Sequence, residues 1–247
     1  MLEPDAAHDP NSSPDETPLP AEIDEYLRRL GAALDLPAHV RAEIASEMAG
    51  HFRDSIAAIR AEEAKKSFAI LGLPPERLHF LGYPDGQLVA CRGAFFANGD
   101  SGRADESCGM QISLTRLLRQ VRPTRVFLPT SSDLHPDHRI VHEELMISLF
   151  HAQGGIWPQL GEAIAEVPRV YELAIYCDFP EPPQIRVETP ASMLETKLQA
   201  ILAYASQEQI SALVEIQRAT GPIEYIRELK FRFYAPQQYN ELFARTA

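Results

Sequence analysis

Cysteine is scarce in this chain. Its three thiols, Cys91, Cys108 and Cys177, are odd in number and widely spaced, which excludes a disulfide framework and a cysteine-rich zinc module. Long apolar runs are missing too. No stretch approaches the roughly 20 residues that span a bilayer, and the N-terminus has neither the basic stretch nor the apolar core of a signal peptide. The expectation is a cytoplasmic protein with no membrane span. Basic residues are in deficit: 23 Lys and Arg stand against 35 Asp and Glu, for a net charge of -12. Binding to a phosphate backbone needs clustered cations, so nucleic acid is excluded as a partner. Much of the negative charge is local, because eight acidic residues precede Arg28, the first basic one.

What is present is enough apolar material, 45% of 247 residues, to bury a substantial core. Residues 1–20 hold five prolines and few apolar side chains, so they are read as a flexible acidic tail. Over residues 21–58 the period turns helical. Ile23, Tyr26, Leu27, Leu30 and Leu34 share one face, Leu36-Pro37 breaks the chain, and Val40, Ile44, Met48, Phe52, Ile56 and Ile59 continue at three- and four-residue spacing. The pattern predicts a helical hairpin whose second helix runs on toward Leu71, where Gly72 ends it. Leu78–Leu81 is predicted as a short strand that holds His79 in a structural role, and Gly82-Tyr83-Pro84-Asp85-Gly86 as a tight turn. Residues 91–109 read as a loop. A helix around Ile112 to Val121 leads into the apolar run Arg125–Pro129, read as a buried strand, and another helix carries Ile140 to Phe150. Strands are predicted at 170–176 and 185–187, and helices at 192–204 and 208–218. Strands alternating with helices argue an α/β layer structure.

The densest chemistry lies at Asp133-Leu134-His135-Pro136-Asp137-His138, two imidazoles and two carboxylates at the carboxyl end of a predicted strand. Sites of α/β proteins gather at such ends. His135, His138 and His142 fall within eight positions of a chain with eight histidines in all. Neutral imidazole ligates zinc, and carboxylates orient it or complete the shell. The cluster therefore reads as half of a metal-dependent hydrolytic site. A competing reading makes Asp133 or Asp137 the cap of the following helix and leaves the histidines solvated.

Four blocks together resemble the LmbE/PIG-L family of zinc-dependent N-deacetylases over about residues 60–245. They are Arg60-Ala61-Glu62-Glu63 with Ala64 and Leu71-Gly72, then Phe80–Gly86, then Asp133–Arg139, and finally Lys197 with Ala200, Tyr204, Ser206 and Gln207. The resemblance implies a Rossmann-like α/β layer fold over residues 59–247, a zinc cofactor, and removal of acetyl from an N-acetylated sugar or related small molecule. It gives His138 the role of zinc ligand and His135 that of polarising the acyl carbonyl. Asp137 supports the histidine geometry, and Arg60 and Asp85 hold sugar hydroxyls. Zinc lowers the pKa of bound water toward neutrality, a carboxylate takes the proton, and a second donor steadies the tetrahedral intermediate. Taken alone, Arg60 also reads as a solvated helix residue and Asp85 as an Asx-type turn residue.

The family's other half-site, a His-Pro-Asp-Asp-Glu block at the end of the first strand, is not in this sequence. The nearest string, Ala7-His8-Asp9-Pro10 followed by Pro14-Asp15-Glu16, has its letters in another order. Residues 21–58 stand where the family's first two strands belong, so the fold is expected to lack them. Two further readings are carried alongside the hydrolase: a non-catalytic family member that binds without turnover, and a helical adaptor presenting Ile23, Leu27, Leu30, Val40 and Ile44. Assembly into a homo-oligomer is left open by the sequence.

Overall fold

The computed structural model describes residues 19–33, 37–96, 109–207, 209–230 and 234–240. The expected tail before Leu19, with its His8 to Glu16 string, and the expected loop from 97 to 108 lie outside the described residues. The elements run α1 (Ala21–Ala33), α2 (Ala38–Ile70), α3 (Met110–Val121), β1 (Arg125–Pro129), α4 (Pro136–Gln153), β2 (Arg169–Leu173), β3 (Ile185–Glu188), α5 (Ala191–Leu202), α6 (Ile210–Thr220) and β4 (Ile223–Leu229). They fall into two compact units. One holds the described residues through Cys91 with Glu188–Ile223, the other Arg92–Val187 with the described residues from Glu224. No helix among the described residues is long and apolar enough to cross a membrane.

In the first unit, α1 and α2 form the predicted hairpin. Leu27 and Ala49 are buried with Leu19, and Ile23, Met48, Phe52 and Ile56 pack against them. Of the adaptor reading's residues, Ile23 and Leu27 are engaged in this cluster, whereas Leu30, Val40 and Ile44 are partly buried and stand outside it. Helix α2 ends where its glycine predicts. The Leu73 amide donates to Phe68 O (2.9 Å) and the Gly72 amide to Ala69 O (3.0 Å), with Gly72 at φ 77°. That pair of bonds is a Schellman motif, which only a residue tolerant of the left-handed region closes without strain. Farther along α2, the buried Glu63 carboxylate accepts from the Ser206 amide (2.8 Å) and hydroxyl (2.7 Å), tying the helix to the turn beyond α5.

Residues 78–81 do not form the predicted strand. They take part in no ladder among the described residues, with Phe80 half exposed and His79 at the surface. A strand exists only through its partner, and a four-residue apolar run does not specify one.

The second unit is built on a sheet in the order β1-β2-β4-β3. β1 and β2 run parallel, with Val126 opposite Val170 and Pro129 opposite Leu173, while β2 and β4 run antiparallel. Among the described residues β1 is therefore an edge strand. It is half buried, which corrects the reading of a buried strand. Val126 and Leu128 face the core, whereas Phe127 is 50% exposed and stacks on Tyr171 at 5.1 Å. The core joins Leu118, Leu128, Leu149, Ala152, Ile164 and Val170 across α3, the sheet and α4. β4 was not expected from the sequence, since its charges interrupt any period-two pattern.

Arg119 on α3 ties this unit together from inside. Its guanidinium is 3% exposed and donates to the carbonyls of His151, Ala152, Gly154, Ile156, Trp157 and Gly161 at 2.8–3.2 Å. Helix α4 leaves its last carbonyls without intrahelical donors, and the rigid fork of arginine supplies them. The same bonds hold Trp157 in the left-handed region, at φ 49°. Replacing Arg119 by Met leaves buried acceptors unanswered, and urea denaturation is expected to show a loss of about 3 kcal/mol or more. Arg122→Met, at the exposed neighbouring position, is expected to stay within about 0.5 kcal/mol. Equal losses would remove Arg119 from this role.

His151 packs edge-on against Trp157, at 4.6 Å between ring centroids. Burial, followed by the Arg119 charge, holds its imidazole below the ordinary pKa, with Glu144 opposing. A lowered histidine pKa means that the unfolded chain takes up a proton first. Stability from this group is therefore complete above about pH 6.5 and is lost as pH falls toward the folded value. Thermal melts from about pH 7.5 down to 5 should fall more steeply for the unmodified protein than for His151→Phe, and parallel curves would contradict this.

Candidate active site

The site grows from the end of β1. Thr130, fully buried, donates its amide to Leu173 O (3.2 Å) as the last rung beside β2, and Asp133 N returns to Thr130 O (3.3 Å) in a turn. Helix α4 then begins with Pro136 at its first position, where a missing N–H costs nothing. Its N-cap is His135. The His135 Nδ1 accepts from the Asp137 amide at 3.2 Å, so the capping role falls to neither aspartate.

Asp133 does something else. Its carboxylate has no exposed surface, and Oδ1 accepts from the His135 amide (2.8 Å) while Oδ2 accepts from the Tyr176 amide (3.3 Å). Oδ1 also lies 3.2 Å from His138 Nδ1. The buried Nδ1 has no other polar partner among the described residues, so this carboxylate is its one near polar neighbour. With a carboxylate as its near neighbour, Nδ1 is the nitrogen that carries the proton. Burial alone would raise the Asp133 pKa. The His135 amide, the His138 imidazole and the Tyr176 amide outweigh it, and the carboxyl is held below its usual range. It stays ionised, and its contribution to stability is present above about pH 4 and lost on acidification.

These partners assign opposite tautomers to the two imidazoles. His135 Nδ1 is an acceptor, so its Nε2 carries hydrogen and presents a donor. His138 Nδ1 is the protonated atom, so its Nε2 presents a lone pair. The rings lie 4.9 Å apart between centroids. One donor and one acceptor thus stand side by side at the N-terminus of α4, where the helix dipole favours negative charge.

Tyr176 completes the cluster. The sequence placed it in a strand over 170–176, but the ladder ends at Leu173 and the Tyr176 amide turns to Asp133. Its ring stacks on His138 at 5.4 Å and on His135 at 6.0 Å. Nothing in the local sequence marked it, because its role depends on where β2 stops.

The remaining expected residues stand elsewhere in the chain's chemistry. The Asp137 carboxylate is 6% exposed in the first turn of α4. Helix α4 is also locked to β1 by His142, whose Nδ1 lies 2.9 Å from Pro129 O and 3.7 Å from Glu172 Oε1. In the first unit Arg60 and Asp85 form an ion pair with each other, both substantially exposed. Lys197 donates to Gln217 Oε1 at 2.6 Å.

A zinc ion does not fit the described residues. Nowhere among them do three or more His, Cys, Asp or Glu side chains converge to hold a metal, whereas catalytic zinc takes three protein ligands and an open position. His138 Nε2 supplies one donor, and Asp133 is committed to Nδ1 and two amides.

The tautomer assignment is directly measurable. Long-range ¹⁵N–¹H spectra at neutral pH are expected to show His135 protonated on Nε2 and His138 on Nδ1; the same tautomer for both would refute it. Asp133→Asn sets an amide donor against one of the existing donors, and is expected to destabilise the fold by about 1–3 kcal/mol and to change the His138 tautomer.

Residues 31–148 match the family model described as PIG-L, GlcNAc-PI de-N-acetylase. No curated protein matches the sequence. Among solved structures, the chain is similar to a conserved protein from Thermus thermophilus, with 25% identity and a TM-score of 0.53 over 72% of this chain and 76% of that one. It is also similar to an N,N'-diacetylchitobiose deacetylase from Pyrococcus horikoshii, solved with an inhibitor, at 21% identity and a TM-score of 0.54 over 76% and 69%. A third likeness is to a 4-carboxy-2-hydroxymuconate hydratase from Pseudomonas putida, at 21% and 0.50 over 74% and 75%. The last two speak to the fold alone. The matched segment contains α2, α3, β1 and the whole histidine cluster, and it supports a hydrolase-like function for the family. On that match and the shared fold, residues 31–148 of the chain are similar to the PIG-L family.

Proposed function

We propose that this chain hydrolyses the N-acetyl amide of a sugar or related small molecule, with the acyl group received by the His135 and His138 imidazoles. The observation that carries the reading is the pair of contacts at the N-terminus of α4, the Asp137 amide on His135 Nδ1 and Asp133 Oδ1 beside His138 Nδ1, which assign the two imidazoles opposed tautomers. The His135 Nε2–H donates to the acyl oxygen and strengthens its hold as that oxygen gains charge. The His138 Nε2 lone pair accepts a proton from the attacking water, the Asp133 carboxylate stabilises the resulting imidazolium, and the imidazolium returns that proton to the departing amine nitrogen as the C–N bond breaks, leaving acetate and the free amine. Asp137 contributes through its amide, which fixes the His135 ring. For Arg60 and Asp85, which pair with each other in the first unit, a role in holding sugar hydroxyls is the proposal the family resemblance supports, the guanidinium as donor and the carboxylate as acceptor.

Zinc is the cofactor that the family resemblance implies, and no step above depends on it. The shortage of ligands favours a second reading, a family member that binds an N-acetylated sugar without turnover. Acetate release from N-acetylglucosamine derivatives, measured with and without added zinc alongside metal analysis, separates the two. On the first reading His135→Gln lowers the rate by about 10²-fold or more, since it removes an oxyanion donor. Sugar binding without acetate release at any zinc level would establish the second reading instead.

A further inference from the structure

Tyr176 is 57% exposed, yet it is held unusually well for a residue in an irregular segment beyond a strand. Its amide donates to Asp133 Oδ2 at 3.3 Å, and the next residue, Cys177, places its Sγ 2.9 Å from Ser132 O. Both ties run to the same turn that carries the histidine cluster. The ring consequently lies nearly parallel to both imidazoles, with interplanar angles of 18° to His138 and 27° to His135. Asp133 thus touches all three rings' residues through a single carboxylate: the His135 amide, the His138 Nδ1 and the Tyr176 amide.

An imidazole half open to solvent, fixed by one nitrogen only, still swings about its Cβ–Cγ bond. A flat ring stacked on it removes that freedom without consuming either nitrogen. Tyr176 does this for two imidazoles at once, and both must present their Nε2 atoms in register for a donor and an acceptor to meet one acyl group. We propose that Tyr176 is a positioning residue of this site, its ring holding the His135 and His138 imidazoles in the orientation that receives the acyl group. The proposal rests on the deacetylase reading for its chemical purpose, but the geometry it asserts is testable without turnover.

The test compares Tyr176→Phe, Tyr176→Ala and Tyr176→Leu, all of which keep the backbone amide. In ¹H–¹³C spectra, the imidazole ring protons of His135 and His138 are expected upfield in the unmodified protein through the tyrosine ring current. They should stay there in Tyr176→Phe and move back in Tyr176→Ala and Tyr176→Leu, while those of the exposed His39 and His79 hold still. For acetate release, kcat is expected to fall about tenfold in Tyr176→Ala with a smaller change in KM, and to recover in Tyr176→Phe. Unmoved imidazole signals in both Tyr176→Ala and Tyr176→Leu overturn the proposal, as does a Phe variant that behaves like Ala. If the unmodified protein releases no acetate while the imidazole signals respond as expected, the deacetylase reading fails and the positioning role stands.

Discussion

A carboxylate with no surface in water persists as an anion only where its oxygens are answered by donors, and Asp133 is such a group. The donors that answer it come from three places: the turn after β1, the first turn of α4, and the segment after β2. The constraint works in both directions. The donors keep the carboxyl ionised, and the carboxylate in turn decides where α4 starts, which nitrogen of His138 bears hydrogen, and where β2 leaves the sheet. An apolar residue at 133 would leave two buried amides and an imidazole without acceptors, so the cluster's arrangement cannot survive its loss by local adjustment.

Arg119 is the complementary case, a buried cation answered by carbonyls. Its fork collects the end of α4 and the loop that follows, just as Asp133 collects the beginning of α4. Between them, the two charged groups fix both ends of the helix that carries His138 and His142. The apolar contacts of Leu149 and Ala152 with Leu118 and Val170 set its depth against the sheet. Charge fixes the helix along its axis, and packing fixes it across.

The sequence disclosed what local periodicity and turn chemistry encode. The hairpin of α1 and α2, the glycine stop at Gly72, β1 and the histidine cluster all carry their signal within a few residues. What it withheld depends on partners far along the chain. Leu78–Leu81 has strand composition but no ladder, Tyr176 has strand neighbours but serves a distant carboxylate, and β4 takes its place beside β2 despite its charges because Arg227 pairs with the buried Glu172. Asp133 was visible as part of the cluster, yet its role was not: an aspartate before a helix is commonly a cap, and only the geometry shows His135 taking that position. The mutual pairing of Arg60 and Asp85, far apart along the chain, was likewise beyond any local rule.

The width of the sheet explains the extent of the site. In an open α/β sheet, functional side chains collect beyond the carboxyl ends of adjacent parallel strands, each strand delivering one loop. Among the described residues two parallel strands end together, β1 and β2. β1 delivers Asp133, His135 and His138, and β2 delivers Tyr176. Beside β1 no further parallel strand stands among the described residues. One imidazole donor, one imidazole acceptor and one aromatic ring are thus what these two strand ends supply among the described residues.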